Sequence, residues 1–510
     1  MITGAASGVE TVRDLVERRA DETPERVFLI GPEDGRAVTF ARLRGAARAM
    51  AALLASKGVK PGESVALLLP NGVAAAAAFV AVMAAGCVAT PLSLLSQPAQ
   101  LAYILDHSDC RLALVAPEFL DLYAQAASRL GRPVPAQILD PGAAPDAGDS
   151  DDWPWPAPRA DDLALLMYTS GTTGRPKGAM LSHANVLAGA DFVSRAHALD
   201  AEDRVLAVLP LYHINAQIVT VLAPLWHGGS VVMPRAFSAS NFWRQAAEFD
   251  CTWLNVVPTI IAYLLNGEAP ENLDLSRVKF CRSASAPLSP DHHRAFEKRF
   301  GIGVIETMGL TETAAPAFAN PLDPALRKIG SPGRAFGNEA RVADVVSGLP
   351  VPSGAIGEIQ IRGPNVARGY HKDAQATGAA FTPDGFFRTG DLGYRDAEDF
   401  YFVTGRIKEL IIKGGENISP REIDEALLKH PAVLEAAAVG APDPFYGQEI
   451  EAAVVLKPGS FADESELKAF CAEKIGRFKT PRAIKFLTAL PKGPSGKPQR
   501  LRLLDARSEP

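Results

Sequence analysis

Along most of the chain, stretches with apolar residues at helical spacing alternate with short unbroken apolar runs. Phe40 to Gly58 ("FARLRGAARAMAALLASKG") carries the helical period and closes on a glycine suited to cap a helix. Ser64 to Pro70 ("SVALLLP") is a short run of the buried-strand kind. An Ala-rich helix, the run "CVATPL", a helix around Leu101 to Asp106 and the run "RLALVA" continue the rhythm. This order predicts parallel sheet covered by helices. Gly131 to Asp162 interrupts it, being rich in Pro, Ala and Asp, and reads as an exposed connector. The strand "LALLMYT" follows, and alternation resumes to about residue 400.

After "VTGRIKELI" a second, smaller pattern begins: helix "PREIDEALLKH", strands "EAAAVG" and "EAAVVL", helix "DESELKAFCAEKI". A domain boundary is therefore expected near Lys408. The fold class expected is α/β: a large N-terminal domain over 1–407, built of several subdomains with parallel-rich sheets flanked by helices, and a small mobile α+β domain over 408–510. A length of 510 residues independently suggests two to four domains.

Composition narrows the function. Apolar content of 47% and charged content of 22% are those of a soluble globular protein. A net charge of −6 gives no basic footprint for nucleic acid. The five cysteines (Cys87, Cys110, Cys251, Cys281, Cys471) are scattered without a CxxC pair, against a disulfide framework or zinc site and in keeping with a reducing cytosol. The start "MITGAASGVETVRDL" lacks the basic and apolar regions of a signal peptide. The most apolar run, Val73 to Gly86, is shorter than the roughly 20 residues a membrane span needs; it reads as a buried helix, with no membrane partner and a cytoplasmic location.

The stretch "YTSGTTGRPKG", Tyr168 to Gly178, concentrates glycines, hydroxyls and cations directly after a buried strand. Glycines let a backbone approach an anion closely, hydroxyls donate to it, and Arg175 and Lys177 supply charge. It is not a Walker loop: counting from Gly171, Pro176 stands where that pattern needs its second glycine, and Gly178 follows the lysine where it needs Ser or Thr. A dinucleotide fingerprint fails too, since "GIGVIE" ends on Glu306 in place of the third glycine. A flexible linker is the plainer alternative.

The loop resembles the phosphate-binding signature of adenylate-forming enzymes: acyl- and aryl-CoA synthetases, luciferases and peptide-synthetase adenylation domains. The family's other motifs follow in order. "LPLYH" resembles the acyl-pocket motif, "SASAPL" the adenine-packing turn, "MGLTE" the magnesium and phosphate motif and "FRTGDLG" the ribose motif. "GRIKELIIKGGENISPREIDEAL" resembles the hinge, and "PKGPSGKPQR" the segment bearing a catalytic lysine. The resemblance spans nearly the whole chain. It implies that a carboxylic acid is coupled to AMP with release of pyrophosphate, after which a thiol displaces AMP, with ATP, Mg²⁺ and coenzyme A as cofactors.

By this resemblance Thr169, Ser170, Gly171, Thr172, Thr173, Gly174 and Lys177 cradle the β- and γ-phosphates, Glu312 binds Mg²⁺ and Thr311 contacts phosphate. Ala284, Ser285, Ala286, Glu306, Thr307 and Met308 surround adenine. Met308 stands where many relatives carry an aromatic residue, "SASAPL" replaces a more Gly-rich turn, and Glu306 often has an amide counterpart. Asp391 accepts both ribose hydroxyls, and Arg406 contacts ribose or phosphate; alone they read as a turn residue and a surface arginine. Lys497 is the adenylation lysine, Lys408 the hinge, and Gly414 and Gly415 admit the pantetheine arm. Phe192, His213, Asn215, Gly309 and Ala314, with Ala284 and Thr307, line the acyl pocket, and the polar members suit a compact acid, small or aryl, with polar atoms of its own. The expected activity is an ATP-dependent acid–CoA ligase acting as a monomer or homodimer. Alternatives are a stand-alone adenylating enzyme serving a carrier protein, a peptide-synthetase module (disfavoured because the chain ends without a carrier domain), a luciferase-like oxygenase, and a catalytically silent acyl-AMP or nucleotide sensor.

Overall fold

The structure is a computed structural model that describes residues 8–143, 152–169, 175–267, 272–492 and 498–505. The chain divides into two compact units, one of residues 1–288, 295–339 and 361–387, the other of residues 289–294, 340–360 and 388–510. The boundary expected at Lys408 falls within the second unit.

The first unit holds two sheets. In the larger, a parallel run of Val304–Leu310, Phe280–Ser283, Trp253–Val256, Arg204–Ala207, Ser230–Val232 and Val27–Gly31 is closed at both edges by antiparallel strands. The smaller sheet orders Ala136–Ile138, Leu112–Val115, Ser64–Leu68, Val88–Pro91, Leu163–Thr169 and Lys177–Ser182, parallel except at its last pair. That last pair is a hairpin whose intervening loop is the glycine-rich stretch. Helices start where the sequence supplies caps: Thr39 accepts from the Arg42 amide, and Ser182 and Asn185 form a reciprocal capping box.

The Ala-rich segment forms the helix Val73–Ala84, and every residue of it is buried. Small side chains let neighbouring elements approach it closely on all sides. No helix among the described residues is long and apolar enough to cross a membrane. The segment read as an exposed connector is different: Ala136–Ile138 adds an edge strand to the smaller sheet. Trp153 and Trp155 pack on the main core, and the Trp153 indole donates to Glu17 at 2.7 Å. Its Pro- and Asp-rich composition masked two aromatic anchors, each able to bury a large area.

In the second unit, Phe387–Arg395 and Tyr401–Arg406 pair antiparallel. A further sheet orders Glu416–Ile418, Ile411–Lys413, Gly447–Leu456 and Val433–Asp443, with Ala483–Phe486 alongside Gly447–Leu456. The helices Pro420–Leu428 and Glu464–Ile475 cover it through a core of Ile411, Ile423, Leu427, Ile450, Val454 and Leu467.

Candidate active site

In the first unit the glycine-rich loop joins Thr169 to Lys177 across a cross-strand pair. Ser170, Gly171, Thr172, Thr173 and Gly174 lie outside the described residues. Lys177 Nζ sits 5.3 Å from the centre of the Tyr370 ring, and the Tyr370 hydroxyl donates to Glu312 Oε1 at 2.9 Å. Burial, with the Glu312 charge adding to it, raises the Tyr370 pKa, so the phenol stays protonated and able to donate. A cleft of about 280 Å³ is lined by Tyr103, His107, Arg175, Pro176, Lys177, His371 and Asp373. Its cationic side chains suit a polyanion.

Glu312 is held in a turn that the surrounding chain over-determines. Thr311–Thr313 forms one tight turn, the Leu310 amide donates to Thr313 Oγ1 at 2.9 Å, and Asn365 Nδ2 donates to the Thr313 carbonyl at 2.8 Å. The Ala367 amide donates to the Glu312 carbonyl at 2.7 Å. Ala314 and Ala315 follow at φ 45° and 73°, left-handed conformations that non-glycine residues adopt at a cost. Gly309 is required beside them: a Cβ there would lie 2.4 Å from the Ala315 carbonyl oxygen. Among the described residues no group of three or more His, Cys, Asp or Glu is placed to hold a metal. One carboxylate fits Mg²⁺ bound with a nucleotide, because phosphate and water supply its remaining ligands.

The residues expected to line the acyl pocket gather at the carboxyl ends of the larger sheet, where open α/β sheets bind ligands. Two residues after His213 begins a π-helix, Asn215–Leu222, a form that recurs at functional sites. Asn215 Nδ2 donates to Ser285 Oγ at 3.1 Å, which ties the pocket residue to the expected adenine turn. Ser285 itself has φ 73°. Ala284 and Thr307 are buried, Ala314 is fully so, and Phe192 packs edge-on against Phe336. Met308 pairs with Phe318 across the antiparallel edge, and Glu306 Oε1 accepts from the Leu288 amide at 3.3 Å. Ala286 lies in the same turn as Ser285, half-buried.

Within the second unit Asp391 and Arg406 are cross-strand partners, joined Nε to Oδ1 at 2.7 Å, with the carboxylate buried and the guanidinium part-exposed. Gly414 and Gly415, at φ 58° and 85°, make the two-residue turn between Lys413 and Glu416. Lys408 lies exposed in a short turn between two strands. Lys497 lies outside the described residues, and its flanks meet: Lys492 bridges Pro498, and the Gln499 amide donates to the Pro491 carbonyl at 2.7 Å.

Sequence reasoning missed two side chains at this site. Tyr370 carried a signal only as an aromatic in "RGYHKD"; Arg282 was visible as a charge inside an otherwise apolar strand, "KFCRS".

The braced Glu312 carboxylate, the cations beside it and the polar side chains at the strand ends fit an adenylate-forming enzyme. The chain belongs to the AMP-binding enzyme family, as an ATP-dependent acid–CoA ligase: residues 16–371 match the AMP-binding enzyme domain and residues 422–497 its C-terminal domain. It is 54% identical to sulfoacetate–CoA ligase of Cupriavidus necator, over 97% of this chain and 98% of that one. It is 37% identical to oxalate–CoA ligase of Arabidopsis thaliana, over 96% and 97%. Among solved structures it superposes on ATP-bound MatB from Rhodopseudomonas palustris with a TM-score of 0.89, at 32% identity over 97% and 98% of the two chains. Its cofactors are ATP, Mg²⁺ and coenzyme A.

The Tyr370–Glu312 contact gives a direct test. Tyr370→Phe keeps the ring beneath Lys177 and deletes the donor to the carboxylate. Hydrogen bonds to charged groups contribute about 1.5–3 kcal/mol, so kcat/KM for Mg-ATP falls about 10- to 100-fold, with the thermal midpoint nearly unchanged. A magnesium titration at saturating acid reads it, and wild-type Mg-ATP kinetics would remove Tyr370 from the site.

Proposed function

We propose that this ligase activates a compact carboxylic acid with a second polar or charged group, in the manner that the names of its sulfoacetate and oxalate relatives suggest. The reaction is acid plus ATP to acyl-AMP plus pyrophosphate, then acyl-AMP plus coenzyme A to acyl-CoA plus AMP. The observation that carries the reading is the set of polar side chains at the expected acyl site. Asn215 and Ser285 are bonded to each other, and Thr307 Oγ1 is buried without a hydrogen-bond partner. A buried polar atom left unpaired is costly in an alkyl tunnel and is satisfied by a polar substrate.

Within this reading the glycine-rich loop and Lys177 take the β- and γ-phosphates, with Thr311 beside them. Glu312, oriented by Tyr370, takes Mg²⁺, whose chemistry is to neutralise the triphosphate as pyrophosphate departs. Asp391 takes the ribose hydroxyls, a role suited to an acceptor-only carboxylate, and Arg406 holds that carboxylate and reaches ribose or phosphate. Ala284 to Ala286 and Glu306 to Met308 pack the adenine. Lys497 serves adenylation, and rotation about Lys408 exchanges it for the thioester-forming arrangement. The turn at Gly414 and Gly415 then admits pantetheine, and the mobile domain begins at residue 408. All five cysteines are buried and reduced, which suits the cytoplasm. We place the enzyme there as a monomer or homodimer.

Pyrophosphate release measured over a panel of acids, with and without coenzyme A, tests the reading. Turnover on small polar acids, with acyl-CoA formed only when coenzyme A is present, is the expected result. Equal activity on palmitate would remove the compact polar substrate. Release without acyl-CoA would favour a carrier-protein acceptor, and nucleotide binding without release a silent sensor.

A further inference from the structure

Three adjacent parallel strands of the larger sheet end on the same face in polar residues. Asn255 stands in register with Arg282, and Arg282 with Ile305, two residues before Thr307. On this face the earlier positions Trp253, Phe280 and Ile305 are core residues. The character therefore switches from apolar to polar at the strand ends, beneath the π-helix that carries Asn215.

Arg282 is the unusual member. It is 2% exposed, and among the described residues no carboxylate pairs with it. Its Nη1 donates to Asn215 Oδ1 at 3.0 Å and to Asn255 Oδ1 at 2.8 Å, while Nε is buried without a partner. Burial alone lowers its pKa to about 9, with no neighbouring charge opposing the shift, so it remains a cation at neutral pH. Two amide dipoles orient the guanidinium but bring no negative charge. A buried unpaired charge costs several kcal/mol, and proteins retain one mainly where a ligand supplies the counter-ion. Asn215, an expected acyl-pocket residue, accepts from this cation and donates to Ser285 in the expected adenine turn, so Arg282 stands beside both expected subsites.

We propose that Arg282 is the charge-selecting residue of the acyl pocket, the counter-ion for a second anionic group on the substrate acid, distal to the carboxylate that is activated. This rests on the acid–CoA ligase reading and sharpens it from a polar acid to a dianion, a sulfonate or second carboxylate on a short linker. Asn215 and Asn255 are positioning residues that aim the guanidinium. A fatty or neutral acid leaves the Arg282 charge buried and unpaired, so the pocket rejects it on charge as well as on size.

The test uses acids of nearly one shape that differ in charge: sulfoacetate against methylsulfonylacetate, and malonate against its monoamide, malonamate. Wild-type kcat/KM is expected to favour the dianion of each pair by about 100-fold, the scale of a charge-assisted bond. In Arg282→Met that preference collapses, with KM rising for the dianion and falling for the neutral acid. Arg282→Lys, which keeps the charge without the planar fork, retains part of the preference. Because the cation is uncompensated, ligand-free Arg282→Met should melt no lower than wild type, a result a merely structural arginine would not give. If Met is not tolerated, Arg282→Gln makes the same comparison.

Equal wild-type rates on charged and neutral partners would overturn the proposal. So would loss of both acids by the same factor in a folded variant, which would assign Arg282 to the reacting carboxylate or the nucleotide. Should no acid release pyrophosphate, the ligase reading fails separately, and thermal shifts with Mg²⁺ and α,β-methylene-ATP decide about Arg282. Stabilisation of wild type but not Arg282→Met by sulfoacetate or malonate supports it, and no difference between them overturns it.

Discussion

Lys497→Ala is expected to stop adenylate formation while largely sparing thioester formation from supplied acyl-AMP. Forming the mixed anhydride brings a carboxylate against the α-phosphate, two anions that repel until a preorganised cation screens both. Losing one such group costs about 2.7–4 kcal/mol, a factor of 10² to 10³. Attack of a thiol on acyl-AMP meets no second anion of this kind, so the cation matters less. The residues on either side of the segment are paired, Lys492 with Pro498 and Gln499 with Pro491, so Ala substitution leaves its anchorage in place. Pyrophosphate exchange reports the first half-reaction, and single-turnover acyl-CoA formation from synthetic acyl-AMP the second. Equal loss in both would sink the assignment of Lys497.

Arg500→Met carries the largest expected effect on stability. Arg500 meets Asp424 through both guanidinium ends, Nη2 to Oδ2 at 2.6 Å and Nη1 to Oδ1 at 3.3 Å. It also donates to the Ala438 carbonyl at 2.8 Å and to Glu409 at 3.1 Å. Asp424 is buried on the helix Pro420–Leu428, and its Oδ1 accepts the Ala438 amide at 2.6 Å. Burial works against the Arg500 charge, but Asp424 and then Glu409 outweigh it and raise its pKa, so the guanidinium stays ionised. Removing one partner of a buried pair strands the other, at about 3–5 kcal/mol. The second unit of Arg500→Met should therefore unfold at lower temperature and be cut sooner by protease. Asp424→Asn added to it should recover part of the loss, because the stranded charge is gone. An unchanged melting curve for Arg500→Met would show the pair to be solvent-screened. Arg500 lies three residues after Lys497 and ties that stretch to the domain, so adenylation should fall along with stability.

How much of the molecule was legible can be judged from particular elements. The helix Phe40–Ser56 lies where periodicity put it, because burial of one face leaves a period in the sequence. The strand Ser64–Leu68 and helix Val73–Ala84 lie where unbroken apolar runs put them, because both are buried on every side. In the segment 131–162, whose described residues are largely exposed as expected, composition gave no sign of the edge strand or of the two tryptophans that pack on the core. The π-helix over Asn215 was not foreseen, since it differs from an α-helix by an insertion that leaves no pattern in the residues.

At the site, the ordered motifs and their glycines identified the family of chemistry from sequence alone, because anion binding by backbone demands particular residue types at fixed local spacing. Which side chains meet was decided only by tertiary structure. Tyr370 reaches Glu312 from 58 positions away, and Arg282 reaches Asn215 from 67. Such pairs depend on strand register and crossover order, and a one-residue slip would turn Arg282 to the opposite face. Sequence by itself therefore determined that an acid is activated with ATP. The fold decided that the buried Arg282 guanidinium stands beside Asn215 and Asn255 at the strand ends, the juxtaposition on which the proposed preference for a dianionic acid rests.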